Sequence, residues 1–167
     1  MDHPVTNTGQ DRYTSNPNQS DGIEYQRLLA MHLLLKATLD QRPFKLAFEM
    51  KQSSLFDDVV FHLPDTKEWW FIQSKYTETN EKLTKSKLFT NKKPAFLLHR
   101  YLKSYCNIRE EFEGKNKYIL LTTHEVSPDL SILCEEVEID NFLDIGSKSS
   151  HFQLTGRDLE TLELLIN

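Results

Sequence analysis

Gln73 and Lys75 stand two residues apart at the end of the most apolar run in the chain, Glu68-Trp69-Trp70-Phe71-Ile72. On a strand that spacing puts both side chains on one face. Fifteen residues before Gln73, Asp58 and its neighbour Asp57 head another apolar run, Val59-Val60-Phe61. Alternation allows only one of the two acids to share the face of Gln73 and Lys75. Asp58 directly precedes the run and is the expected inward group, with Asp57 an accessory or solvent-facing acid. A carboxylate on one strand, with an amide oxygen and an ammonium on the next, can hold a divalent cation beside a phosphate. A lysine there neutralises charge that develops in a transition state or orients a metal-bound water. Each piece also has an ordinary alternative. Paired acids at a strand start can be a turn signal, and the apolar strand can simply emerge into solvent at Gln73.

Two further carboxylates belong to the same reading. Glu24 falls in line with Leu28, Met31 and Leu35 at i, i+4, i+7 and i+11 of a helix. A carboxylate heading an apolar stripe is expected to point towards the sheet and to find a cation or a hydrogen-bond partner there. The alternative is a first-turn glutamate facing water and stabilised by the helix dipole. Glu49 closes the first strand, where it can lean over the site, pair with Lys75 or stand in solvent.

The elements that must position these groups follow from periodicity. A capped helix is expected from Ser20 or Asp21, apolar almost all round and stopped by Arg42-Pro43. Residues 44–50, 56–63 and 68–76 read as three strands, joined by connections short enough for an antiparallel meander. The third is expected to be central because it is so apolar. Residues 94–112 carry a helical stripe of Phe96, Leu97, Leu98, Tyr101, Leu102 and Tyr105. Residues 117–123 form a fourth strand, expected to be buried on both faces and parallel to the third by a crossover. A last helix is expected over 158–166, ending with no cap, as in a fragment of a longer protein. The fold class is α/β with a mixed sheet. Residues 1–20 are polar and read as a disordered lead-in, followed by one domain over 21–167.

The formal net charge of −5 excludes a simple basic nucleic-acid binder, but the charge is unevenly placed. Residues 82–103 hold seven basic residues (Lys82, Lys85, Lys87, Lys92, Lys93, Arg100, Lys103) and no acid. Residues 125–144 hold seven acids and no base. The basic segment, with Phe89, Phe96 and Tyr101 among its lysines, suits a nucleic-acid backbone or, equally, a solvated helix face. Cys106 and Cys134 are too few for a disulfide framework and are expected to be buried thiols in a reducing, intracellular compartment. No signal peptide, membrane span, glycine-rich phosphate loop, metal-spaced histidines or nucleophile triad is legible.

Taken in order, Glu24 on the first helix, Asp58 at the second strand and Gln73-Ser74-Lys75 on the third resemble the PD-(D/E)xK restriction-endonuclease-like nucleases, in their Q-x-K variant. Gly22-Ile23-Glu24-Tyr25-Gln26, Phe48-Glu49, Phe56-Asp57-Asp58-Val59-Val60 and Ile72-Gln73-Ser74-Lys75 are similar to the nuclease domain of CBASS-type anti-phage effectors. Related domains occur at the N-termini of large multidomain defence proteins. The resemblance covers residues 21–123. It implies an αβββαβ core and Mg²⁺- or Mn²⁺-dependent phosphodiester hydrolysis, in DNA before RNA. By the same resemblance Asp58 is a metal ligand, Glu24 an accessory acid and Lys75 the catalytic lysine. Gln73 takes the place of the second metal-binding carboxylate. Two departures are plain: no proline precedes Asp58, and glutamine stands where the family has Asp or Glu. Homologous domains that have lost catalysis make a non-catalytic interaction or oligomerisation module the second expectation.

Overall fold

A computed structural model of the chain describes residues 17–78, 81–89, 96–130, 133–137 and 151–154, leaving aside the side chains of 17–20, 134–137 and 151–154. The elements are α1 (Pro17–Leu39), β1 (Lys45–Ala47), β2 (Val59–Leu63), β3 (Glu68–Lys75), β4 (Lys82–Leu83) and α2 (Lys85–Phe89). They continue with α3 (Leu98–Ile108), β5 (Lys115–Thr122), β6 (Glu125–Val126), β7 (Cys134–Val137) and β8 (His151–Leu154). The main sheet has the order β1-β2-β3-β5. β1, β2 and β3 form the expected antiparallel meander, and β5 returns parallel to β3 after α3. The class is therefore α/β with a mixed sheet, and β3 is flanked on both sides as its apolar sequence demands.

Alternation along β2 and β3 builds two cores. Val59, Phe61, Leu63, Trp70 and Ile72 face α1 and pack on Leu29, Ala30, Leu33 and Ala37. Val60 and Phe71 face the other way, towards Phe56 and the α3 residues Tyr101 and Ile108. Phe71 stacks on Tyr118 at 5.2 Å, and Phe56 meets Tyr118 edge-on at 5.5 Å. These aromatic and β-branched residues suit a strand buried on both faces. The sheet thus lies between α1 and α3.

Several boundaries differ from the sequence reading. α1 begins at Pro17, where a proline at the first turn has no N–H to leave unbonded. The first strand is only three residues long, because Glu49 turns left-handed with φ 48° and a 3-10 turn follows at Lys51–Ser53. β5 is half-buried rather than buried on both faces, since among the described residues no strand pairs with its outer edge in this sheet. Cys106 is exposed, not buried. The expected helix over 158–166 and residues 1–16 of the lead-in expected over 1–20 lie outside the described residues, while 17–20 are helical. No described helix is long and apolar enough to cross a membrane.

The start of β5 is locked to the β2–β3 turn. Lys115 N–H donates to Lys67 O at 2.9 Å, and Gly114, with φ 124°, lets the two segments approach. A Cβ on Gly114 would lie 2.2 Å from Lys67 O. Gly114→Ala is expected to cost about 1–3 kcal/mol, from the clash and the left-handed backbone together. Urea unfolding of the variant against the parent checks this through the midpoint at unchanged slope.

Candidate functional site

The β2–β3 register pairs Val59 with Ile72. Continued by one residue, it sets Asp58 opposite Gln73, on the α3 face by alternation. The segment that delivers Asp58 is not strand and needs other anchors. Leu55 N–H donates to Ser104 Oγ of α3 at 3.0 Å, and Phe56 packs against the ring of Tyr101 at 5.6 Å. Ser53 Oγ donates to Met50 O at 2.6 Å. The loop before β2 is therefore fixed to α3 on one side and to itself on the other.

Three donors converge on one oxygen. Asp58 Oδ2 accepts from Gln73 Nε2 at 2.5 Å, from Ser74 N–H at 2.8 Å and from Ser74 Oγ at 2.8 Å. Gln73 and Ser74 are each only 6% exposed. Hydrogen bonds to a carboxylate are stronger than neutral ones, and here they bridge the two strands in place of a ladder pair. Among the described residues nothing donates to Asp58 Oδ1. The Gln73 amide nitrogen also lies 3.5 Å from Ser74 O, so it sits between a carboxylate and a carbonyl oxygen.

Around this centre the electrostatics are mixed. Burial, followed by the negative charges of Asp58 and Glu49, pushes the Asp57 carboxyl above its usual range, while its own backbone amide and the Lys75 ammonium pull it down. Burial and then the charge of Asp58 push the Tyr101 hydroxyl up to about 12, with Arg100 opposing. Tyr101 is thus a neutral donor near both acids at any physiological pH. Lys75 is half-buried on the same strand face as Gln73, and Thr123 N–H bonds its carbonyl at 3.3 Å.

Asp58 and Gln73 are brought together; Lys75 shares the strand face of Gln73, and its charge, with that of Glu49, reaches Asp57, Glu49 being exposed and turned left-handed. Glu24 is not brought in. Its side chain is 61% exposed and pairs loosely with Arg27 at 3.7 Å, on the outer face of α1. α1 carries two apolar lines, and the sequence reading chose the wrong one. The line of Leu29, Ala30, Leu33 and Ala37 lies against the sheet, its alanines allowing close approach; Leu28, Met31 and Leu35 face out with Glu24.

The basic segment is also partly spent. Lys87 pairs with Glu81 at 2.8 Å and Lys82 with Glu125 at 3.9 Å. Glu81 lies one residue outside the acid-free window, and Glu125 arrives through the β4–β6 pairing. Lys85 uses its backbone N–H on Asp129 at 3.0 Å, which leaves its exposed side chain, with that of Arg100, towards solvent. Lys92 and Lys93 lie outside the described residues.

Sequence reasoning missed Ser74 and Tyr101. Ser74 was passed over as the spacer in Gln-x-Lys, and Tyr101 as one position of an apolar stripe. A hydroxyl at the polar end of a buried run was the available signal for Ser74.

The donor set suits a hard divalent cation in a limited way. Among the described residues no donor reaches Asp58 Oδ1, and the Gln73 amide, rotated about its terminal bond, would turn Oε1 towards the same carboxylate. Magnesium commonly takes one or two carboxylates and completes its shell with water and substrate oxygens. Among the described residues no three His, Cys, Asp or Glu side chains are grouped closely enough to hold a metal by themselves. No protein-family model, curated protein or solved structure matches this chain.

Asp57 yields a pH test. A carboxyl raised in the fold stabilises the protein below its unfolded pKa, and that contribution is lost as pH rises through the folded value. Asp57→Asn is therefore expected to match the parent in stability below about pH 4 and to exceed it at pH 7. Thermal melts across that range check the crossing. A variant less stable at neutral pH would contradict the cause assigned to the shift.

Proposed function

We propose that this chain is a metal-dependent nuclease domain of the restriction-endonuclease-like class, hydrolysing phosphodiester bonds in DNA, within a defence system. The observation that carries the reading is the meeting of Asp58 and Gln73 across β2 and β3, with Lys75 on the same face. The element order α1, β1–β3, α3, β5 and the ordered motifs add the resemblance.

Asp58 Oδ1 and Gln73 Oε1 are the oxygens that would hold Mg²⁺ or Mn²⁺. A cation bound there supplies Lewis-acid charge for the scissile phosphate and a more acidic water. Ser74 fixes the Asp58 carboxylate through two bonds to Oδ2, so that Oδ1 keeps one direction. Lys75 places an ammonium where charge grows on the phosphoryl oxygens. Lys85 and Arg100 supply exposed cations for the flanking backbone, a salt-sensitive contact. Glu49 and Asp57 take the accessory acid place that Glu24 was expected to fill.

One observation favours a second reading, a non-catalytic module of the same fold. The Gln73 NH₂ group satisfies Asp58 directly at 2.5 Å, as a cation otherwise would. Plasmid cleavage in Mg²⁺ separates the two. The nuclease reading expects cleavage by the parent, abolition by chelator, and a loss of at least ~100-fold in Lys75→Ala and Asp58→Ala. Equal cleavage by all three proteins would remove the site assignment, and no cleavage by the parent in Mg²⁺ or Mn²⁺ would favour the module.

A further inference from the structure

The described fold leaves one side of α1 bare. Leu28, Met31, Leu35 and Leu39 are 56, 58, 55 and 77% exposed, with Ile23 and Leu34 beside them at 44 and 39%. Steps of three and four residues keep the first four in line along the helix. The opposite line of Leu29, Leu33 and Ala37 is already buried against the sheet. The bare residues together expose on the order of 600 Å². That is the upper end of what a monomer usually shows, and near the ~800 Å² each partner buries in a stable interface.

We propose that the outer face of α1 is a homodimer interface, with two copies of this chain pairing α1 against α1, antiparallel across a two-fold axis. The stripe has the period of a coiled-coil seam: Leu28 and Leu35 occupy a positions, Met31 and Thr38 d positions. An antiparallel pair centred between Met31 and Leu35 sets Met31 of each copy on Leu35 of the other, and Leu28 on Thr38. One patch is then its own complement, as a two-fold interface requires. The same alignment sets the helix dipoles in opposition. A parallel pair would instead place Glu24 on Glu24 and Arg27 on Arg27. Gln73 and Asp58 lie on the α3 face of the sheet, so pairing through α1 leaves them uncovered. The inference stands whether or not that site is catalytic.

Sedimentation velocity on the full chain between about 1 and 100 µM tests it, since a dimer's apparent stability follows protomer concentration. The parent is expected at the mass of two chains. Leu28→Glu with Leu35→Glu is expected to raise the dissociation constant by at least ~100-fold, giving the mass of one chain. Its far-UV circular dichroism should not change, because both side chains are already on the surface. A monomeric parent across the range overturns the proposal. If that monomer melts lower in the double variant, a segment of its own chain covers the face. If it melts alike, the face is bare in solution.

Discussion

One carboxylate oxygen organises the centre of this protein. Asp58 Oδ2 takes hydrogen bonds from the Gln73 amide, the Ser74 amide and the Ser74 hydroxyl, and so joins β2 to β3 just beyond their last ladder pair. Such a concentration of donors on a single acceptor needs a buried, rigid setting. The aromatic floor of Phe71, Tyr118, Phe56 and Tyr101 provides it, and Ser104 of α3 holds the approaching loop. The polar cluster is therefore a product of the core beneath it. Disturbing Phe56 or Ser104 would move the carboxylate without touching it.

The polarity of Gln73 gives the cluster two chemical states. With its NH₂ turned to Asp58, the pair is satisfied with no further ligand. With its oxygen turned inward, two oxygens would face each other at hydrogen-bond distance, an arrangement that is repulsive unless a cation lies between them. A glutamate at this position would repel its neighbour whenever both carboxylates are ionised and no cation lies between them. In the nuclease reading glutamine trades metal affinity for a site that is stable when empty. That trade is where the nuclease and module readings diverge.

Much of this was legible in the sequence. Period-two alternation allowed one acid on the face of Gln73 and Lys75, the place directly before the apolar run pointed to Asp58, and the apolarity of residues 68–72 made β3 the inner strand. The meander and the parallel return of β5 followed from connection lengths. What failed did so for identifiable reasons. α1 is apolar on two sides, so periodicity could not say which line meets the sheet, and Glu24 went with the wrong one. Charge counted in a window missed Glu81 and Glu125, which reach Lys87 and Lys82 through a short turn and a strand pair. The left-handed turn at Glu49 left no sequence signal and shortened β1 to three residues.

The account rests on Asp58 and Gln73 being able to share a cation. Isothermal titration of the folded chain with Mn²⁺, beside Asp58→Asn and Gln73→Glu, measures this without reference to any substrate. The account predicts one site per chain, lost in Asp58→Asn and tightened in Gln73→Glu, where a second carboxylate replaces the amide. Binding that is unchanged in both variants, or absent from the parent and from Gln73→Glu alike, would contradict it.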